Sequence, residues 1–288
     1  MTQPYRPLAA ALWMLLAIVA FMSMAVAGRA VAPAHDTFEI MLYRSLIGVA
    51  VVLAVGGWAG TLHQIGLRRM RLHLTRNVAH FAGQNLWFYA LTVIPLAQVF
   101  ALEFTTPVWV ILLSPLMLGE KLTGKGALAA ALGFVGILIV ARPDPANLSP
   151  GLIAAALCAV GFALSAILTK QLTRVEPMTV ILFWLTVMQA VFALGLAGRD
   201  GDIALPDATS GPWLLLIGLA GMVAHFALTR ALSLAPATVA MPVDFLRLPA
   251  IAVLGWLVYD EAVDGYLVIG AALILVANAI NLKRTRAG

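Results

Sequence analysis

From its eighth residue on, the chain divides into apolar runs of roughly 18 to 24 residues, joined by short connections that carry most of its charge. At 1.5 Å per residue, such a run crosses a hydrocarbon core about 30 Å thick, and a helix satisfies every backbone N–H and C=O within one run. A membrane-spanning barrel would instead alternate polar and apolar residues over stretches of about ten, and these runs do not. Hydrophobic residues make up 62% of the 288 and Asp, Glu, Lys and Arg together 11%, which excludes an ordinary soluble domain. The expected fold class is an all-α membrane protein. Ten spans fit: Leu8 to Gly28, Phe38 to Trp58, Leu74 to Ile94, Leu96 to Leu118, Ala127 to Ala141, Leu152 to Leu172, Met178 to Ala197, Trp213 to Leu234, Ala237 to Tyr259 and Tyr266 to Leu282. Ala25-Val26-Ala27 has the form of a signal-peptidase site, but the apolar run before it is about 20 residues, too long for a signal segment. The run therefore counts as a retained first span. The single cysteine, Cys158, forms no internal disulfide.

The second half of the chain repeats the first at a constant offset of 141 residues. Ala90-Leu91 before Pro95 returns as Ala231-Leu232 before Pro236, Glu120 and Gly124 as Glu261 and Gly265, Phe21 and Arg29 as Phe162 and Lys170, and Glu103 as Asp244. Each half holds five spans, 1–145 and 146–288, with the proline-rich stretch Arg142-Pro143-Asp144-Pro145-Ala146-Asn147 between them. An odd number of spans makes the second half enter the membrane from the opposite side, so the repeats are inverted around a central cavity. With the N-terminus inside, thirteen Lys and Arg fall on the cytoplasmic side, Arg76 and Lys170 among them, against three outside, Arg29, Arg142 and Arg199. That bias predicts cytoplasmic N- and C-termini.

Six ionisable groups fall within spans: Arg44, His80, Glu103, His225, Asp244 and Arg247. Each costs a few kcal/mol or more in hydrocarbon unless it meets a partner or a wet cavity, so each is a candidate for substrate binding or gating. Asp244 and Arg247 are three apart on one helical face and can pair. Glu103 has no such neighbour in its own helix; it is protonated, paired with Arg44 or His80, or open to a cationic substrate group. Arg44 either faces inward or snorkels to the outer surface. His80, Gln84 and Trp87 form one stripe of the third span, with Asn77 a turn earlier. Pro107 and Pro115 in the fourth span, and Pro242 and Pro249 in the ninth, predict kinks that act as hinges in the two spans that carry the acidic residues. Glu120 and Glu261 are expected to set the turn into the next helix.

No nucleotide-binding glycine loop, zinc-protease motif or nucleophile elbow occurs, and the loops are too short for a catalytic domain. An enzyme, a metal or cofactor and a nucleic-acid partner are not expected. The ten spans, the Tyr43-Arg44 pair, the Ala-Leu-x-x-x-Pro corners and Leu118-Gly119-Glu120-Lys121-Leu122 before a Gly-rich fifth span resemble the EamA-type members of the drug/metabolite transporter superfamily. The resemblance covers nearly the whole chain and implies a bacterial inner-membrane exporter of amino acids, aromatic ones included, and related metabolites. It also implies a cavity with Glu103, Asp244, Arg247, His80, Gln84 and His225 near it. The first span has no carboxylate, unlike that of the small multidrug-resistance relatives, which disfavours their type of proton-coupled cation exchange. The expectation is therefore export of amino acids by alternating access in the lipid bilayer. Efflux of lipophilic cations is the transport alternative, and a non-transporting scaffold or sensor is the alternative of another class.

Overall fold

The structure is a computed structural model that describes residues 5–94, 96–120, 124–142, 149–259, 264–266, 268–270, 272–273 and 276–277. The described chain is α-helical without strands: α1 (Pro7–Val31), α2 (Thr37–Trp58), α3 (Met70–Val93), α4 (Leu96–Glu103), α5 (Thr106–Leu118), α6 (Gly124–Ala141), α7 (Pro150–Leu172), α8 (Met178–Ala197), α9 (Ser210–Leu234), α10 (Ala237–Ala240) and α11 (Arg247–Tyr259). Nine of the ten expected spans correspond to these helices. The tenth falls largely outside the described residues, as do Pro95 and Glu261. Among the described residues six stretches are long and apolar enough to cross a membrane, namely α1, α2, residues 99–118, α7, α8 and α9. Helix α3 is not among them. It has the length but carries Arg76, Asn77, His80 and Gln84 buried along one side.

Local chemistry sets the helix ends. Asp36 caps α2 in a capping box with Glu39, and the Ser149 hydroxyl accepts from Leu152 N–H at the start of α7 with Pro150 in its first turn. Gly119 ends α5 in the left-handed conformation, φ 68°, where a side chain is strained.

Two spans are broken, and both breaks fall at an acidic residue. The fourth span is interrupted at Phe104 and Thr105, between α4 and α5. Pro107 has no N–H to donate to the Glu103 carbonyl four residues back, so the ladder fails there. The ninth span runs as α10, a 3-10 segment Met241–Leu246 that contains Pro242 and Asp244, and then α11. These are discontinuities rather than the simple bends expected from the prolines. Pro107 lies in the first turn of α5 and Pro115 inside it. The side chains of Pro242 and Pro249 lie outside the described set.

Helix α1 packs along α9, and α3 along α7. The 141-residue offset carries the first pair into the second, and carries the third main contact, α2 with α8, onto itself. The bundle thus has an approximate two-fold axis through the α2–α8 contact. Small residues permit the close approaches: a Cβ on Gly161 would stand 2.9 Å from the Ala79 carbonyl oxygen and 3.0 Å from the Gly83 Cα. At the equivalent α1–α9 crossing stand Ala20 and Ala224, both buried.

Two charges clamp the corner between α9 and α10. Lys170 donates to the Leu232 and Ala235 carbonyls at 2.6 and 2.7 Å, and Glu120 accepts from Ala237 and Thr238 N–H at 3.0 Å each. Glu120 therefore caps a helix of the opposite half, because its neighbours α5 and α7 pack against α10; residues 121–123, which lead into the helix after it, lie outside the described residues. Lys170 and Arg76, expected among the cytoplasmic loop charges, are buried in the bundle at 4% and 2% exposure. Away from this corner, the segment before α9 is tied to α2: Glu39 accepts from Ala204 N–H at 2.6 Å and Tyr43 donates to the Ala204 carbonyl at 2.7 Å.

Candidate central cavity

The polar stripe of α3, the two broken spans and the inner faces of α1, α7 and α9 converge on one cavity. Its wall includes Phe21, His80, Gln84, Trp87, Glu103, Thr106, Phe162, His225, Asp244 and Arg247. Six pairs on the wall are related by the offset: Phe21 and Phe162, Met24 and Ser165, Gln84 and His225, Trp87 and Leu228, Glu103 and Asp244, Thr106 and Arg247. The cavity therefore straddles the approximate two-fold axis. Its chemistry is asymmetric wherever the paired residues differ.

The ionic centre is a triad. Arg247 donates through one terminal nitrogen to Glu103 at 2.5 Å and to Asp244 at 2.8 Å, and Trp87 donates its indole N–H to the other Glu103 oxygen at 2.6 Å. The guanidinium also lies against aromatic rings, 4.9 Å from Phe104 and 5.3 Å from Phe21. All three charged residues are 3 to 4% exposed. The partner of Glu103 is thus Arg247 of the opposite half, not Arg44 or His80. This matters because a buried carboxylate left alone is far more costly than one held in a hydrogen-bonded pair.

His80 and His225 face each other edge to face with ring centroids 4.7 Å apart, His80 tilts against Phe162 at 6.0 Å, and His225 meets Phe21 at 5.8 Å. Neither ring nitrogen of His225 has a protein partner, nor has His80 Nε2 or Gln84 Nε2. These are buried hydrogen-bonding groups turned toward a cavity, and buried polar groups are normally satisfied. The free volume is about 50 Å³, well below the ~300 to 1,000 Å³ of small-molecule pockets. A larger cavity of about 450 Å³ between α5 and α6 is lined by Val108, Trp109, Leu112, Phe134 and small residues with no ionisable group. It offers a ligand no charge, and its polar groups are the Thr105 hydroxyl and the Trp109 indole N–H.

Of the eight residues expected to bind or gate, seven line the central cavity: Glu103, Asp244, Arg247, His80, Gln84, His225 and Trp87. Arg44 lines a smaller adjoining cavity; it is 5% exposed and does not snorkel to the outer surface. Among the described residues no cluster of His, Cys, Asp or Glu could hold a metal. The sequence points to Thr106 only as the repeat counterpart of Arg247, and to Phe21 and Phe162 only as markers of the repeat, not as site residues. Their signal was the repeat itself, because Thr106 mirrors Arg247 and the two phenylalanines mirror each other. Arg76 gave no such signal: it donates to Thr169 Oγ1 and Asn77 Oδ1, both neutral, inside the bundle.

Comparison with known proteins places this geometry. The model of the EamA-like transporter family matches twice, over residues 8–142 and 149–282. The chain is 33% identical to a riboflavin transporter of Rhizobium johnstonii, over 98% of this chain and 93% of that one. It is 29% identical to a pseudopaline exporter of Pseudomonas aeruginosa, over 95% and 96%, and 24% identical to an S-adenosylmethionine uptake transporter of Rickettsia felis, over 92% and 89%. A crystal structure 20% identical in sequence superposes with a TM-score of 0.78, over 96% of this chain and 97% of that one, which shows the shared fold. With both halves matched and the curated relatives covered almost end to end, the chain belongs to the EamA-like transporter family.

Proposed function

We propose that the protein carries a planar, hydrogen-bonding aromatic solute, of the class that riboflavin exemplifies, across the bacterial inner membrane by alternating exposure of the central cavity. The observation that carries this reading is the wall itself. Phe21, Phe162 and Trp87 supply ring-stacking surface, while His80, Gln84 and His225 present unpartnered polar atoms to the edge of such a ring. The triad of Glu103, Arg247 and Asp244 is closed on itself, so it offers no free charge to a ligand in this conformation. The riboflavin transporter among the relatives supports the solute class.

The units that move are the halves 1–145 and 146–288, with the breaks beside Pro107 and Pro242 as hinges and both termini cytoplasmic. In proteoliposomes, riboflavin should enter saturably and faster than in empty vesicles, and Phe162→Ala should slow entry about tenfold or more through the lost stacking contact. Entry no faster than in empty vesicles would rule the reading out.

A second reading, export of amino acids, aromatic ones included, is favoured by the position of the triad. If it opened, Glu103 or Asp244 would meet an ammonium and Arg247 a carboxylate. Labelled phenylalanine and tryptophan in the same vesicles separate the two readings. Lipophilic-cation efflux is less favoured, because Arg247 already occupies both carboxylates.

A further inference from the structure

Beside the central cavity, on the approximate two-fold axis where α2 meets α8, lies a second, smaller cavity. Arg44 and Ser45 of α2 face Leu185 and Thr186 of α8 across it; these residues are repeat equivalents, so the arginine is the axis's one unmatched charge there. His225 of α9 forms part of the wall of both cavities. The Arg44 guanidinium lies over Gly221, where a Cβ would stand 2.7 Å from Nε, so the glycine makes the space that the side chain fills.

Thr186 and the Gln189 amide N–H of this wall have acceptors and Gln189 Oε1 is left without a donor, but three of its residues carry unpartnered nitrogen or hydroxyl groups. Arg44 Nε has no partner, and the sulfur of Met41, 4.0 Å from the NH1 nitrogen, is a weak acceptor. Ser45 Oγ and both ring nitrogens of His225 are also unpartnered. In any neutral tautomer one imidazole nitrogen carries a hydrogen, so His225 brings at least one donor. Among the described residues no carboxylate pairs with Arg44 or with the neighbouring buried Arg76, which donates to Thr169 and Asn77, whereas Arg247 of the central cavity has two. A guanidinium buried in a membrane bundle without an anion is costly, and a ligand anion would remove that cost.

We infer that Arg44, Ser45 and His225 form a subsite for an anionic terminal group of the transported solute, a carboxylate or a phosphate. This rests on the reading of the central cavity as the place of the solute's ring. The free space of about 10 Å³ is that of one water at most, so a terminal group enters only as the cavity widens, and a ring system is excluded. The planar guanidinium suits a two-oxygen anion, and Ser45 and His225 add neutral donors around it. The solute then lies with its ring between Phe21 and Phe162 and its acid past His225.

Binding to the purified protein in nanodiscs, followed by isothermal titration calorimetry, tests this with two pairs that differ in charge: riboflavin 5′-phosphate against riboflavin, and indole-3-propionate against indole-3-propionamide. The expected result is at least about tenfold tighter binding of the anion, the low end for a hydrogen bond to a charged group. A preference in the first pair alone identifies phosphate, and in the second alone a carboxylate. The ratio should fall toward one in Arg44→Gln and be partly kept in Arg44→Lys. A ratio near one in the wild type, which needs no variant to fold, overturns the subsite, and so does an unchanged ratio in folded Arg44→Gln. Flavin binding with a ratio near one removes the subsite and leaves the solute class standing. Preference for indole-propionate without any flavin binding does the reverse, and no binding in either pair removes both.

Discussion

Arg247 joins two carboxylates from different halves of the chain and lies against Phe21 and Phe104, so one side chain holds together α4, the 3-10 segment and α11. Its removal would leave Glu103 and Asp244 buried side by side with only the Trp87 N–H between them and bare like charge. Arg247→Ala should therefore destabilise the protein by about 3 to 5 kcal/mol, the cost of breaking a buried ion pair from one side. Thermal unfolding in detergent measures it. The triple variant Arg247→Met, Glu103→Gln, Asp244→Asn should recover most of that loss, because no charge is then left alone. Recovery no better than in the single variant would mean that the arginine acts through packing instead. The pairing itself was not legible in the sequence. Asp244 and Arg247 are three residues apart and announce each other, but Glu103 is 144 residues from Arg247, and only the docking of the halves joins them.

At the scale of elements, the broken spans were partly legible: Pro107 predicts a lost bond to the Glu103 carbonyl, and the prolines marked the correct two spans. The form of the second break, a 3-10 segment rather than a kink, was not, since it depends on how α10 is held by Glu120 and α7. Replacing that cap by Glu120→Ala should lower stability by about 1 to 2 kcal/mol, as loss of an N-terminal cap does. It should also raise amide exchange at Ala237 and Thr238 above that in the rest of the helix. The α3–α7 crossing makes a steric prediction. Gly161→Ala must push helix backbone apart and should cost about 1 to 3 kcal/mol by the same unfolding measurement. At the start of α9, Asp207 accepts N–H groups of Ser210 and Thr209 at 2.6 and 2.9 Å, and these bonds hold its carboxyl below the usual carboxylate range. With its value lowered by folding, Asp207 contributes fully above the unfolded carboxylate range and loses that contribution as pH falls through its folded value. Protection of the Thr209 and Ser210 amides, taken relative to intrinsic exchange at each pH, should fall over that acid window in the wild type and show no such fall in Asp207→Asn.

For the whole molecule, the apolar runs and the constant offset were enough to anticipate an all-helical, two-fold-related bundle, because a membrane leaves the backbone few alternatives. Burial of particular charges was not. Arg76 and Lys170 lie near span ends, where a count of loop charges cannot tell solvent from a neighbouring helix, and both turn inward. Removing them from the thirteen residues that the sequence assigns to the cytoplasmic side leaves eleven against three, so the expected orientation keeps its sign. Cysteines placed at Arg199 and at Arg230, both exposed, test it against a background of the wholly buried Cys158. A membrane-impermeant maleimide added to intact cells should label the first and not the second; the opposite pattern would invert the topology.

The clamp of Lys170 and Glu120 on the junction of α9 and α10 also limits how the bundle can work. A corner gripped on its carbonyls by α7 and on its amides by the end of α5 cannot serve as a pivot, because bending there would strip four charge-assisted bonds at once. On the proposed reading the α9–α10 elbow keeps its shape through the cycle, and flexing of the ninth span falls to Met241–Leu246, next to Asp244. Each stroke of such a lever would pull directly on the Arg247 ion pairs, so the lock on the cavity and the joint that opens it are the same few residues.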